Sequence, residues 1–158
     1  MTAGSVLPIS IDAMGGDHAP ASVIDGAAIA YRKQPSRKFI FFGDEAKIAP
    51  LLEKYSELKA ASRIHHTEEF VPMHEKPSLA LRRGKNTSMR LAIEAVQDKK
   101  ASGVVSAGNT GAFMAMSKMI FKTLPGITRP AIAGIMPNKY HDVVMLDLGA
   151  NVYSDSHE

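Results

Sequence analysis

The 158-residue chain is 45% hydrophobic and 22% charged with a formal net charge of +3, proportions that suit one globular domain with a real core. Its basic residues form no concentrated stripe and aromatics make up only 6%, which argues against nucleic-acid binding. The lack of cysteine excludes disulfides and thiolate metal sites and suits a reducing cytoplasm.

Residues 1–5 show neither the basic nor the apolar region of a signal peptide. Residues 8–13 alternate and are β-rich, which predicts a first strand. Met14-Gly15-Gly16-Asp17-His18-Ala19 reads as a turn, and Pro20 then suits a first helical turn. Ile24, Ala27, Ala28 and Tyr31 place one apolar stripe on that helix. Phe39-Ile40-Phe41-Phe42 is a fully apolar strand closed by Gly43-Asp44. A helix follows with Ile48, Leu51, Leu52 and Tyr55 on one face, and Pro50 inside the pattern predicts a kink or a restart.

Residues 63–67 read as a weaker strand, and residues 70–85 as an irregular or partly helical connection punctuated by Pro72 and Pro77. Thr87 is placed to cap a helix whose face is Met89, Ala92, Ile93 and Val96. Gly103-Val104-Val105 then predicts a buried strand, Ser106-Ala107-Gly108-Asn109-Thr110-Gly111-Ala112 a turn, and residues 113–124 a helix. Residues 130–136 and 142–148 read as two more strands, ending in Gly149-Ala150-Asn151. The longest charge-free run, residues 101–117, is broken by Gly103, Gly108, Asn109 and Gly111 and makes a poor membrane span.

Apolar strands alternating with helices predict an α/β fold with a mostly parallel sheet covered on both faces, a Rossmann-like three-layer sandwich. Ligands of such sheets bind beyond the carboxyl ends of the strands. Three glycine-containing segments are expected to converge there: residues 14–18, 106–111 and 147–151. Backbone N–H groups in such turns can gather on a phosphate or another small anion. Asn109 and Thr110 offer side-chain donors, with helix capping as the alternative use. Asp12, Asp17 and His18 form the most titratable cluster, suited to acid–base work or to shaping the Gly15-Gly16 turn. His65, His66 and His74 fit no standard metal spacing, and Met114, Met116, Met119 and Ile120 read as core before acyl groove.

The same segments carry a family resemblance. Ile11-Asp12-Ala13-Met14-Gly15-Gly16-Asp17-His18-Ala19-Pro20 resembles the opening motif of the bacterial phosphate acyltransferases of phospholipid synthesis, the PlsX family. Residues 104–112 resemble their central motif. Arg82-Arg83-Gly84-Lys85-Asn86-Thr87-Ser88-Met89 resembles their basic-then-serine segment, with Gly84 and Thr87 as departures. Residues 126–131 and 146–151 complete a match that runs from Ile9 to Asn151.

The resemblance implies transfer of a fatty acyl group from acyl carrier protein to inorganic phosphate, giving acyl phosphate for glycerol-3-phosphate acylation. It implies a homodimer and action in the cytoplasm and at the inner membrane face; no cofactor and no metal are expected. It also implies a fold similar to the isocitrate and isopropylmalate dehydrogenases and the phosphotransacetylases. Under it, Asn109, Thr110, Asp12 and His18 are the catalytic candidates. Gly15, Gly16, Asp17, Ser106, Gly108, Gly111, Arg82, Lys85 and Asn151 are the phosphate- or substrate-binding candidates. Arg82, Arg83 and Lys85 would attract phosphate or the acidic carrier, unless they form a solvated basic loop.

Family chains are about twice as long. The expectation is therefore a single α/β domain over residues 1–158, the N-terminal part of a longer fold, with little or no activity by itself and with membrane contact left to the other half. The rival readings are a short-chain phosphotransacetylase-like enzyme and a non-catalytic module that binds acyl carrier protein or self-associates. A nicotinamide dehydrogenase is disfavoured, because Met14-Gly15-Gly16-Asp17 lacks the G-x-G-x-x-G spacing.

Overall fold

Hydrophobicity that runs unbroken through four aromatic and aliphatic residues has one stable use in a strand, which is burial on both faces. The computed structural model, which describes residues 6–149, gives Phe39 to Phe42 that environment. Strands β1 (Ile9–Asp12), β2 (Phe39–Gly43), β3 (Ser62–His66) and β4 (Gly103–Val105) form a parallel sheet ordered β3-β2-β1-β4. Ile9 stands opposite Phe39 on one side and Gly103 on the other, so the sheet is in register across its centre.

Alternation along β2 divides its side chains between two layers. Phe39 and Phe41 pack with Ile24 and Ala28 of α1 (Ala21–Lys33), Ile48 and Leu52 of α2 (Glu45–Leu52) and Leu58 of α3 (Ser56–Ala60). Two further helices, α4 (Pro77–Arg83) and α5 (Ser88–Gln97), follow β3 in the chain. Ile40 and Phe42 face Ala92 and Ala95 of α5 on the opposite side of the sheet. Behind β4, α6 (Thr110–Phe121) packs with α4 and α5 around Ala80, Met89, Ile93 and Met116. The result is the expected three-layer α/β arrangement.

Most local readings hold, with displaced boundaries, but β4 is not the buried strand expected: it stands at the end of the sheet order, Gly103 and Val104 are half-buried and Val105 is 56% exposed. Ile24, Ala27 and Ala28 are buried and Tyr31 is packed against them. The Pro50 pattern resolves into a restart: α2 ends two residues after it and α3 begins at Ser56. Tyr55 leaves the α2 face and donates its hydroxyl to Asp25 Oδ1 at 2.8 Å. Thr87 occupies the N-cap of α5, but its hydroxyl donates back to the Gly84 carbonyl at 2.9 Å and caps nothing. Helix α6 begins three residues before residue 113 because Asn109 caps it, and it stops at Lys122, whose φ is +64°.

The last two strands depart from the parallel pattern. β5 (Gly134–Pro137) and β6 (Asp142–Met145) pair antiparallel in a sheet of their own. Four residues separate them, whereas a parallel crossover needs about a dozen. Asn138 closes the turn by accepting the N–H of Tyr140 and of His141 on its side-chain oxygen. Every residue of β6 is exposed, so it is not a buried strand. Among the described residues no helix is long and apolar enough to cross a membrane.

Candidate functional site

The chain runs from β1 outward through β2 to β3, then returns to place β4 on the other flank of β1. Strand order therefore reverses between β1 and β4, and the crevice outside the carboxyl ends at such a reversal is where open α/β sheets bind ligands. The turns that leave these two strands meet there. A Cβ built on Gly15 would lie 2.9 Å from the Gly108 nitrogen, and one on Gly108 would lie 3.3 Å from Gly15 Cα. Gly16 has φ +104° and sits over the Ala107 carbonyl, which a Cβ would meet at 3.1 Å. Side chains at these positions would force the two backbones apart.

Beneath the contact lies Asp12, the last residue of β1, only 2% exposed. Its Oδ1 accepts the Ser88 hydroxyl at 2.6 Å and the Met14 N–H at 3.3 Å, and its Oδ2 accepts the Ser106 hydroxyl at 2.7 Å. Burial pushes the Asp12 carboxyl above its ordinary pKa, while the bonds from Ser88, Ser106 and Met14 pull it down. Ser88 is fully buried at the start of α5. It was not among the predicted site residues, though its position carried a signal. Ser88 shares the buried stripe of Ala92 and Ala95, and a hydroxyl on such a stripe requires a partner.

At the second turn, Ser106 Oγ accepts the Gly108 N–H at 3.0 Å. Asn109 has φ −59° and spends its whole side chain on structure. Its Oδ1 caps the Ala112 N–H at 2.9 Å, and its Nδ2 donates to the carbonyls of Met73 and Glu75 at 2.8 and 2.9 Å. Capping is thus realised, and the same amide holds the 73–75 loop against the turn. Thr110 is exposed at the first position of α6. Among the described residues, the N–H groups of Thr110 and Gly111 find no acceptor and stand at the positive end of a 12-residue helix. The space above Gly111 is bounded by Pro77, whose Cγ a Cβ there would meet at 2.8 Å.

The remaining candidates are placed as follows. Asp17 and His18 are exposed on the first turn and form no side-chain hydrogen bond or ion pair among the described residues. The titratable trio is therefore split, with Asp12 below the turn and the other two at its rim. Arg82 lies in the last turn of α4 and Lys85 just after it, both exposed and without an ion pair among the described residues. Of the third glycine segment the structure describes residues 147–149, where a Cβ on Gly149 would meet nothing within 4 Å. Asp147 Oδ1 accepts the Ile132 N–H at 2.8 Å, which ties this stretch to the chain that enters the hairpin. Asn151 lies outside the described residues.

His65 packs on the Phe42 ring at 5.0 Å and His66 accepts the Glu45 N–H, so both have structural partners. Met116 is core, whereas Met119 is 46% exposed. On the α1 side a cleft of about 340 Å³, lined chiefly by Ile11, Val23, Ala27, Phe39 and Val105, reaches Ser106 and Ala107.

Fold and turns together define a class: an α/β protein whose two glycine-rich turns meet over a buried carboxylate at the switch point of its sheet. Comparison with known proteins identifies the family. The model of the family described as "Fatty acid synthesis protein" matches residues 7–158, and the chain belongs to that family. Over 152 residues it is 52% identical to a phosphate acyltransferase of Paramagnetospirillum magneticum, which covers 96% of this chain and 43% of the relative. It is 56% identical over 148 residues to a phosphate acyltransferase of Rhodospirillum centenum, covering 94% and 42% respectively. A phosphate acyltransferase of Bradyrhizobium diazoefficiens is 55% identical over 154 residues, covering 97% and 44%. The chain thus spans less than half the length of these relatives.

Proposed function

We propose that the chain supplies the phosphate-binding turns of an enzyme that moves a fatty acyl group from the thioester of acyl carrier protein onto inorganic phosphate. The observation that carries this reading is the meeting of the Gly15 and Gly108 turns at the sheet's switch point, in a chain half identical to phosphate acyltransferases. A phosphate oxygen attacks the thioester carbonyl carbon, a C–O bond forms, and the tetrahedral intermediate expels the carrier's thiolate as the C–S bond breaks. The amides of Thr110 and Gly111 and the Thr110 hydroxyl are the donors for phosphate oxygen or for the developing oxyanion. Gly15, Gly16 and Gly108 keep the backbones close enough for this, and Asn109 holds the end of α6 in place.

Asp17 and His18 stand where a proton could be handled at the rim, and Arg82 and Lys85 present exposed positive charge to phosphate or to an acidic carrier. The same reading takes a homodimer as the working form, cytoplasmic with peripheral membrane contact, on the strength of the motif resemblance. A segment exchange tests it. Residues 7–149 of this chain replace the matching segment of the Paramagnetospirillum phosphate acyltransferase. The chimera is expected to form acyl phosphate from acyl carrier protein thioester and orthophosphate. Thr110→Ala in it is expected to raise the KM for phosphate about tenfold while leaving the KM for the acyl donor in place. A folded chimera that transfers no acyl group to phosphate sinks the reading.

A further inference from the structure

We propose that Ser88, Asp12 and Ser106 form a buried positioning relay that sets the glycine-rich turn, and that Ser106 acts through this relay and is not itself a phosphate ligand. The proposal rests on which atoms donate. Three donors converge on the Asp12 carboxylate, the hydroxyls of Ser88 and Ser106 and the N–H of Met14. An ionised carboxylate only accepts, so each serine must aim its single proton at it. Ser106 Oγ then presents lone pairs alone, and one of these receives the Gly108 N–H at 3.0 Å. With its proton committed to Asp12, this hydroxyl has none to offer a phosphate oxygen.

Burial and topology make the relay more than a local turn bond. Asp12 is 2% exposed and Ser88 0%, so the Ser88–Asp12 hydrogen bond does not exchange readily for water, while the Ser106–Asp12 bond is half-buried. Charge-assisted bonds of this kind are among the stronger ones in a protein. The path runs from the start of α5, through the end of β1, to the turn between β4 and α6, joining residues 76 and 94 positions apart. Ser88 is itself fixed by its N–H, which donates to the Glu69 carbonyl at 2.9 Å. Gly15 closes over the assembly: a Cβ there would lie 2.6 Å from Asp12 Oδ2 and 2.9 Å from Ser106 Oγ. The first turn thus needs its glycine because the relay lies directly under it.

The relay predicts an effect at a distance. Ser88 does not bond Gly108, yet its removal leaves Oδ1 with only the 3.3 Å Met14 contact and frees the carboxylate to turn away from Ser106. In the ligand-free chain, Ser106→Ala is expected to accelerate amide exchange of Gly108 about tenfold, and Ser88→Ala severalfold. Unchanged Gly108 exchange in a folded Ser88→Ala chain overturns the relay. Should that variant not fold, Asp12→Asn takes its place, with the same expectation and the same contrary result.

The functional arm rests on the phosphate-site reading and uses the chimera. Ser88→Ala and Ser106→Ala are each expected to raise the KM for phosphate about fivefold, and the double variant no further. A serine with only a structural role would lower the yield of active enzyme and leave KM unchanged. If Ser106 contacts phosphate directly, Ser106→Ala alone raises KM and the proposal fails. If the unsubstituted chimera makes no acyl phosphate, the functional reading falls, while Gly108 exchange still decides the relay.

Discussion

Two side chains at the switch point, Asn109 and Asp12, show how a polar residue is recruited into architecture. Asn109 uses both ends of its amide, so Asn109→Ala removes a helix cap and two loop bonds. Its unfolding free energy in urea is expected to fall by about 2 kcal/mol. Asn109→Asp keeps the capping oxygen but turns an oxygen toward the Met73 and Glu75 carbonyls, and should recover little of that loss. Full recovery by Asp would reduce Asn109 to a cap. Asp12 yields a pH signature. Burial raises its folded pKa above the ordinary value, so ionisation is harder in the folded chain than in the unfolded one. Below the ordinary value both states hold the proton and the contribution to stability is fully present. As pH rises through the folded value that contribution is lost. The stability of the unsubstituted chain relative to Asp12→Asn should therefore decline as pH rises above the ordinary carboxylate value of about 4. A difference that grows with pH contradicts the assignment. Asp12 and Ser106 were visible as motif residues, but that Asp12 lies below the turn and Asp17 at its rim depends on strand direction and burial, which spacing along the chain does not encode.

At the scale of elements, the glycines separate by what surrounds them. Gly26 lies on the exposed side of α1, where a Cβ meets nothing within 4 Å, so Gly26→Ala should stabilise by about 0.5–1 kcal/mol through the unfolded chain. Gly15→Ala drives a methyl into Asp12 Oδ2, Ser106 Oγ and the Gly108 nitrogen and should destabilise by about 2 kcal/mol. Thermal unfolding of the pair checks both signs at once. Helices and core strands were legible because their patterns are local: the period of Ile24, Ala27 and Ala28, and the solid run of β2. The hairpin was misread because exposure is not local. Residues 134–137 and 142–145 have the β-branched and apolar character of buried strands. The four residues between them were the available sign of an antiparallel turn, with Asn138 at its start.

For the whole molecule, the layered sheet and the separate hairpin imply unequal local stability. Amides of β1 and β2, covered on both faces, should exchange slowest, and those of the exposed hairpin well before them. Simultaneous exchange of sheet and hairpin would show that the two open as one unit. The decisive question is whether the two contacting turns hold phosphate. Titrating the ¹⁵N-labelled chain with orthophosphate should give saturable shifts confined to the amides of Gly16, Thr110 and Gly111 and their immediate neighbours, with the α1 and α3 surfaces unmoved. Silence at those amides, or small shifts spread over the basic surface, would contradict the phosphate site.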